Sequence, residues 1–116
     1  MAPYFTKFLA EKLHQPLLPK LQKLSAIFHI ELLDAPNSIW TLAIKNGMLD
    51  SIAKGAIPAQ CGFKLKRETF ARIIGGKLSP QMAFFKREVE IDGDIVLGLK
   101  LATVLAEFFK LFPWSA

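Results

Sequence analysis

The chain has 116 residues and a formal net charge of +5, from 15 Lys and Arg against 10 Asp and Glu; that size fits one domain with its own apolar core and no staples. Its single cysteine, Cys61, excludes an intrachain disulfide and suits a reducing compartment. The basic residues are spread singly (Lys7, Lys12, Lys20, Lys23, Lys45, Lys54), with Lys64–Arg67 and Lys86–Arg87 the densest patches, which argues against nucleic acid and leaves anionic lipid as the matching surface.

Residues 4–13 read as a short amphipathic helix, with Phe5, Phe8, Leu9 and Leu13 at helical spacing and Lys7, Glu11 and Lys12 between them. Those charges interrupt any secretory leader, so a cytoplasmic location is expected, at most peripheral at a membrane. A second helical piece is predicted around 19–26, from Leu21, Leu24 and Ile27 with Pro19 in its first turn. The period then falls to two. Phe28, Ile30 and Leu32 alternate with His29 and Glu31; Asp34–Ser38 is a loop; Trp40, Leu42 and Ile44 alternate with Thr41, Ala43 and Lys45. Asn46-Gly47 marks a hairpin leading into a weaker strand over Met48–Ala53. Cys61, Phe63 and Leu65 form a fourth strand. Four strands with short connections predict an antiparallel meander. Residues 67–74 return to helical spacing through Phe70, Ile73 and Ile74, and Gly75-Gly76 ends that helix. Ser79-Pro80 opens a short helix to Phe85, Glu88–Asp92 alternates as a fifth strand, and Asp94 caps a last helix over 95–109.

That last helix carries an apolar surplus. From Ile95 to Phe112 the charged or hydroxylated residues are Lys100, Thr103, Glu107 and Lys110, spaced by three and four on one narrow stripe. A surface helix needs an apolar arc of only roughly 100° or somewhat more, and three charges within the segment argue against a membrane span. The chain as a whole is 52% apolar without counting its 7 Gly, where ordinary domains reach roughly 45–50% with Gly included. The surplus must line a cavity, meet a partner or meet a membrane.

The run Gly76-Lys77-Leu78-Ser79-Pro80-Gln81-Met82-Ala83-Phe84-Phe85, followed by Val89-x-Ile91-x-Gly93-Asp94 and Leu97-x-Leu99-Lys100-Leu101, resembles the signature of the sterol carrier protein 2 (SCP2) domain; Trp40–Gly47 resembles its second-strand motif. The resemblance covers residues 28–109 of a single domain spanning 1–116, with 1–25 as an N-terminal helical extension. It implies an α+β fold, a five-stranded mainly antiparallel sheet covered by helices that enclose an apolar tunnel. It also implies a carrier of fatty acids, acyl-CoA esters, sterol-like molecules or phospholipids. The Phe84–Asp94 segment resembles bacterial accessory factors of ubiquinone biosynthesis as well, so the alternative is a non-catalytic scaffold presenting a prenyl-quinone intermediate to partner enzymes. The C-terminal Pro-Trp-Ser-Ala lacks the peroxisomal address of the animal carriers.

On this reading the lipid-binding residues are Trp40, Leu42, Ile44, Phe63 and Leu65 on the sheet and Phe70, Ile74, Leu78, Met82, Phe85, Leu97, Leu101 and Leu105 on the helices. Catalytic residues, metal ligands and cofactors are not expected. His14 and His29 are the two histidines, and His29 with Glu31 reads as a solvated strand face. Cys61 reads as a buried thiol, Asp92-Gly93-Asp94 as a turn and cap without a full set of calcium ligands, and Gly75-Gly76-Lys77 as a helix stop lacking phosphate-loop spacing, with Lys77 near a head group. The aromatic ends (Tyr4, Phe5 and Phe8; Phe108, Phe109, Leu111, Phe112 and Trp114) either close the cavity, make a transient membrane contact, form a homodimer contact, or pack back on the domain's own core.

Overall fold

A computed structural model describes residues 3–12 and 24–114; His14 and most of the helix expected around 19–26 lie outside them. Strand β1 runs from Ala26 to Leu32, so the end of that expected helix is extended chain instead, and Ile27 points outward at the start of the strand. β2 (Ile39–Lys45) and β3 (Met48–Lys54) follow. They are joined at Asn46 and Gly47, both at positive φ (53° and 76°), the backbone that a two-residue hairpin turn matching strand twist requires. β4 is Cys61–Leu65 and β5 is Val89–Gly93.

The sheet order is β3-β2-β1-β4-β5. β1 pairs antiparallel with β2 but parallel with β4, in the register Phe28↔Cys61 to Leu32↔Leu65. The expected four-strand meander is therefore wrong at its last step, though three of the four pairings are antiparallel. Instead of turning back beside β3, the chain crosses the outer face of β2 and β1. Thr41 Oγ1 donates to the Gly55 carbonyl (2.7 Å) and accepts from the Ile57 N–H (3.1 Å). The Ile57 carbonyl meets His29 Nε2, and the Gln60 side chain accepts from the Ile27 N–H at 2.8 Å.

The helices cover the opposite face, where Phe28, Ile30 and Leu32, Trp40, Leu42 and Ile44, Cys61 and Leu65, and Val89 and Ile91 are buried. α1 (Arg67–Ile74) turns Phe70, Ile73 and Ile74 inward, and the Asp34 carboxylate accepts the Arg67 N–H at 2.8 Å across the chain. It ends at Gly75 and at Gly76, whose φ of +75° suits a residue without Cβ. α2 (Pro80–Phe85) starts from Ser79, which accepts the Met82 N–H at 3.1 Å; α3 (Ile95–Leu111) starts from Asp94, which accepts the Leu97 N–H at 3.0 Å. Both sequence-predicted caps are in place.

The N-terminal segment differs from the regular amphipathic helix expected over 4–13. It is a π-helical turn over Tyr4–Phe8 followed by a 3-10 turn over Ala10–Lys12. Tyr4 and Phe5 are each 1% exposed and belong to the main core.

Candidate functional site

Between the sheet and the helices lies a void lined by Phe28, Ile30, Phe63 and Leu65 from β1 and β4, Phe70 and Ile73 from α1, Pro80 from α2, Val89 from β5, and Ala102, Leu105 and Phe109 from α3. Every lining residue is apolar. Strand alternation sends the even residues of β1 and the odd residues of β4 to this side, while α1 and α3 close it from above. Its volume is about 40 Å³. A single water needs roughly 10–15 Å³, whereas pockets that bury a small organic ligand run to roughly 300–1,000 Å³. As folded here, the space admits no lipid.

Of the sequence-predicted site residues, Phe63, Leu65, Phe70 and Leu105 line this void. Ile74 and Leu101 are fully buried in the surrounding core, and Leu97 packs against it half-buried. Leu78 lies in a smaller crevice among the three helices, with Ile73, Pro80, Ala106 and Phe109. Trp40, Leu42 and Ile44 are buried on the same sheet face, toward β3. Met82 and Phe85 are placed differently: they are 49% and 74% exposed. In a helix of six residues, Ala83, 0% exposed, takes the inward position, Gln81 and Phe84 are half-buried, and Met82 and Phe85 fall outside.

Alternation of β1 had put Phe28 and Ile30 on one face, but pairing with β4, which brings them to the void, was not legible. Phe5, expected among the aromatic ends but not among the lipid-binding residues, stands beside two of them. Its ring stacks on Trp40 at 4.6 Å with planes 10° apart, and on Phe70 at 5.6 Å with planes 7° apart. Trp40, on the sheet face, and Phe70, on the helices, were the two walls between which the sequence reading set the lipid, and both stack on the chain's own phenylalanine. Tyr4 stands beside it, with ring centroids 5.3 Å from both Phe8 and Trp114 and 5.6 Å from Phe70. Its hydroxyl is buried without a hydrogen-bond partner among the described residues, and burial raises the phenol well above its ordinary pKa. Both aromatic ends thus pack on the domain: Phe108 and Phe109 are buried, the Trp114 N–H donates to the Ile74 carbonyl at 2.9 Å, and Leu111 and Phe112 stay exposed.

Cys61 is 3% exposed on the inner face of β4, and burial, with the Asp94 charge added, pushes its thiol up, the reverse of an activated nucleophile. His29 lies half-buried on the outer face, against the β3–β4 crossing. Among the described residues no three His, Cys, Asp or Glu side chains are placed to hold a metal ion. A second depression, of about 390 Å³, lies at the polar end of the sheet, where Lys64, Lys66, Arg72 and Arg87 mix with Glu68, Glu88 and Glu90. Arg72 and Glu88 pair there at 2.9 Å. No helix among the described residues is long and apolar enough to cross a membrane.

Comparison with known proteins agrees with this arrangement. Human sterol carrier protein 2 is 28% identical over 98 residues, which cover 82% of this chain and 18% of that protein; the chain spans less than a fifth of the length of such curated relatives. A crystal structure of sterol carrier protein 2 superposes with a TM-score of 0.69 at 16% identity, covering 91% of each chain. The structure of a protein described as UbiJ-SCP2, a ubiquinone synthesis protein, superposes with a TM-score of 0.63 at 17% identity, covering 92% of this chain and 90% of that one. The family model for SCP-2 sterol transfer proteins matches residues 5–106, and with the five-stranded sheet and its helical cover this places the chain in the SCP-2 sterol transfer family.

Proposed function

We propose that this domain binds a lipid or similar apolar molecule between the sheet and α1 and α3, and carries it without chemical conversion. The observation that carries the reading is the void bounded wholly by apolar side chains, in a chain of the SCP-2 family. Burial of methylenes releases roughly 0.8 kcal/mol each, so ten buried carbons offer about 8 kcal/mol before ordering costs, near what micromolar binding requires. Catalysis has no support from the buried, up-shifted Cys61 thiol or from the outward-facing His29. The exposed apolar side chains on α2 and at the start of α3, Met82, Phe85, Ile95 and Val96, are suited to brief contact with a membrane during exchange, with Lys86 and Arg87 beside them to meet anionic head groups.

A second reading is favoured by the likeness to the ubiquinone synthesis protein: the same cavity would hold a prenyl-quinone intermediate for partner enzymes. Mass spectrometry of the purified protein, native and after extraction with organic solvent, separates the two. A stoichiometric fatty acid or phospholipid supports the carrier, and a prenylated quinone or phenol in a stable enzyme complex supports the scaffold. A protein that comes empty and takes up neither added lipid nor added quinone overturns both.

A further inference from the structure

We propose that the slot between Trp40 and Phe70 is itself part of the ligand site, that it accepts a thin apolar group one ring thick, and that Phe5 holds it as an internal substitute until ligand displaces the N-terminal segment. This rests on the lipid-binding reading above and adds where the space for the ligand comes from.

Four observations converge. The present void holds about 40 Å³, so binding requires that something move. Phe70 lines that void and also stacks on Phe5, so withdrawing Phe5 would join the slot to the void and extend it toward Trp40. The sheet is hydrogen-bonded without the occupant: the five-stranded ladder runs from β3 to β5 without the N-terminal segment, and backbone bonds within the segment run from the Leu9 N–H to the Tyr4 carbonyl and from the Lys12 N–H to the Leu9 carbonyl. Finally, the closed arrangement carries a cost. The Tyr4 hydroxyl is buried with no partner among the described residues, and outward movement returns it to water. Short π and 3-10 turns, with poorer hydrogen-bond geometry than a regular helix, suit a segment that exchanges between two seats.

The gap fixes the class of occupant. Two aromatic rings lying nearly parallel to the phenyl ring they stack on disfavour a bulky polar group and admit either an acyl or prenyl chain or a flat ring. Oleate and decylubiquinone sample the two sources of that chemistry. Hydrogen exchange of the full chain, read by mass spectrometry, is compared free and at saturating probe. The expected result is that protection over residues 5–12 falls at least tenfold with one or both probes, while β1 and β4 keep or gain protection; the probe that does so identifies the source. Phe5→Ala should bind that probe at least tenfold more tightly, and should that variant fail to fold, the exchange result on the unaltered chain decides alone. Probe binding with protection over 5–12 unchanged or increased overturns the displacement and leaves lipid binding standing. Equilibrium dialysis that finds neither probe bound to the unaltered chain or to Phe5→Ala overturns both.

Discussion

Gly98 crosses Ile91 so closely that a Cβ on Gly98 would meet Ile91 Cγ2 at 2.5 Å. The contact seats the first turn of α3 on β5, and with it the end of the helix that roofs the void. Helix propensity favours Ala over Gly by roughly 0.5–1 kcal/mol, but overpacking of a rigid, β-branched neighbour costs roughly 1–3 kcal/mol. Gly98→Ala is therefore expected to lower the stability measured by urea unfolding. A variant more stable than the parent would show that α3 can lift from β5 at no cost.

The chain has a single tyrosine, so its absorbance in alkali reports Tyr4 alone. Burial raises that phenol, which means the folded state holds the proton more tightly than the unfolded one. Its contribution to stability is complete below the ordinary phenol pKa of about 10 and is lost as pH rises above it. The expected titration is delayed, and appears together with loss of structure. An ordinary, structure-independent titration would place the hydroxyl in water.

Asp94 serves twice, as cap of α3 and as a charge near Cys61. Asp94→Ala should cost about 1 kcal/mol through the lost cap. Asp94→Asn keeps a capping oxygen and removes the charge, so alkylation of Cys61 at pH 8 should quicken while stability changes little. Burial remains the larger cause of the raised thiol, so the native protein should still react far more slowly than the unfolded chain. An unaltered rate in Asp94→Asn would discount the charge.

At the acid end, Asp34 accepts the Arg67 N–H at the start of α1, and that bond, with the nearby Arg67 charge, holds its carboxyl below the usual range. Stabilisation from a lowered carboxylate is present above the unfolded pKa of about 3.9 and lost as pH falls below it. Asp34→Asn should flatten the acid limb of the stability curve between pH 5 and pH 2, judged by unfolding at several pH values. An unchanged limb would show that the exposed bond contributes nothing to folding.

Elements whose evidence is local were legible before the structure. Ser79 and Asp94 cap the helices they were expected to cap, Asn46-Gly47 makes the hairpin, and Phe70, Ile73 and Ile74 face inward. What escaped depended on distant pairing. The short crossing at Gly55–Gln60 gives no hint that β4 lies beside β1, because its fixing bonds come from Thr41, Ile27 and His29, far away in sequence. The site was partly legible for the same reason. Phe63, Leu65, Phe70 and Leu105 follow from periodicity, whereas Phe5 reaches Trp40 only because two remote segments meet. Met82 and Phe85 lie exposed, since a two-turn helix has too few residues for its pattern to fix which side faces in.

The parallel seam between β1 and β4 also bears on how the protein is made. β1, β2 and β3 are neighbours in sequence and can zip from the hairpin at Asn46-Gly47 soon after they emerge. β4 must then close a loop spanning β2 and β3 to reach β1, and β5 adds to its other edge. Long-range pairings of this kind slow folding, because loop entropy is lost before contacts repay it. During synthesis, then, the β1 edge stays bare until β4 has emerged and paired, and substitutions in β4 should be felt in the folding rate rather than only in the rate of unfolding.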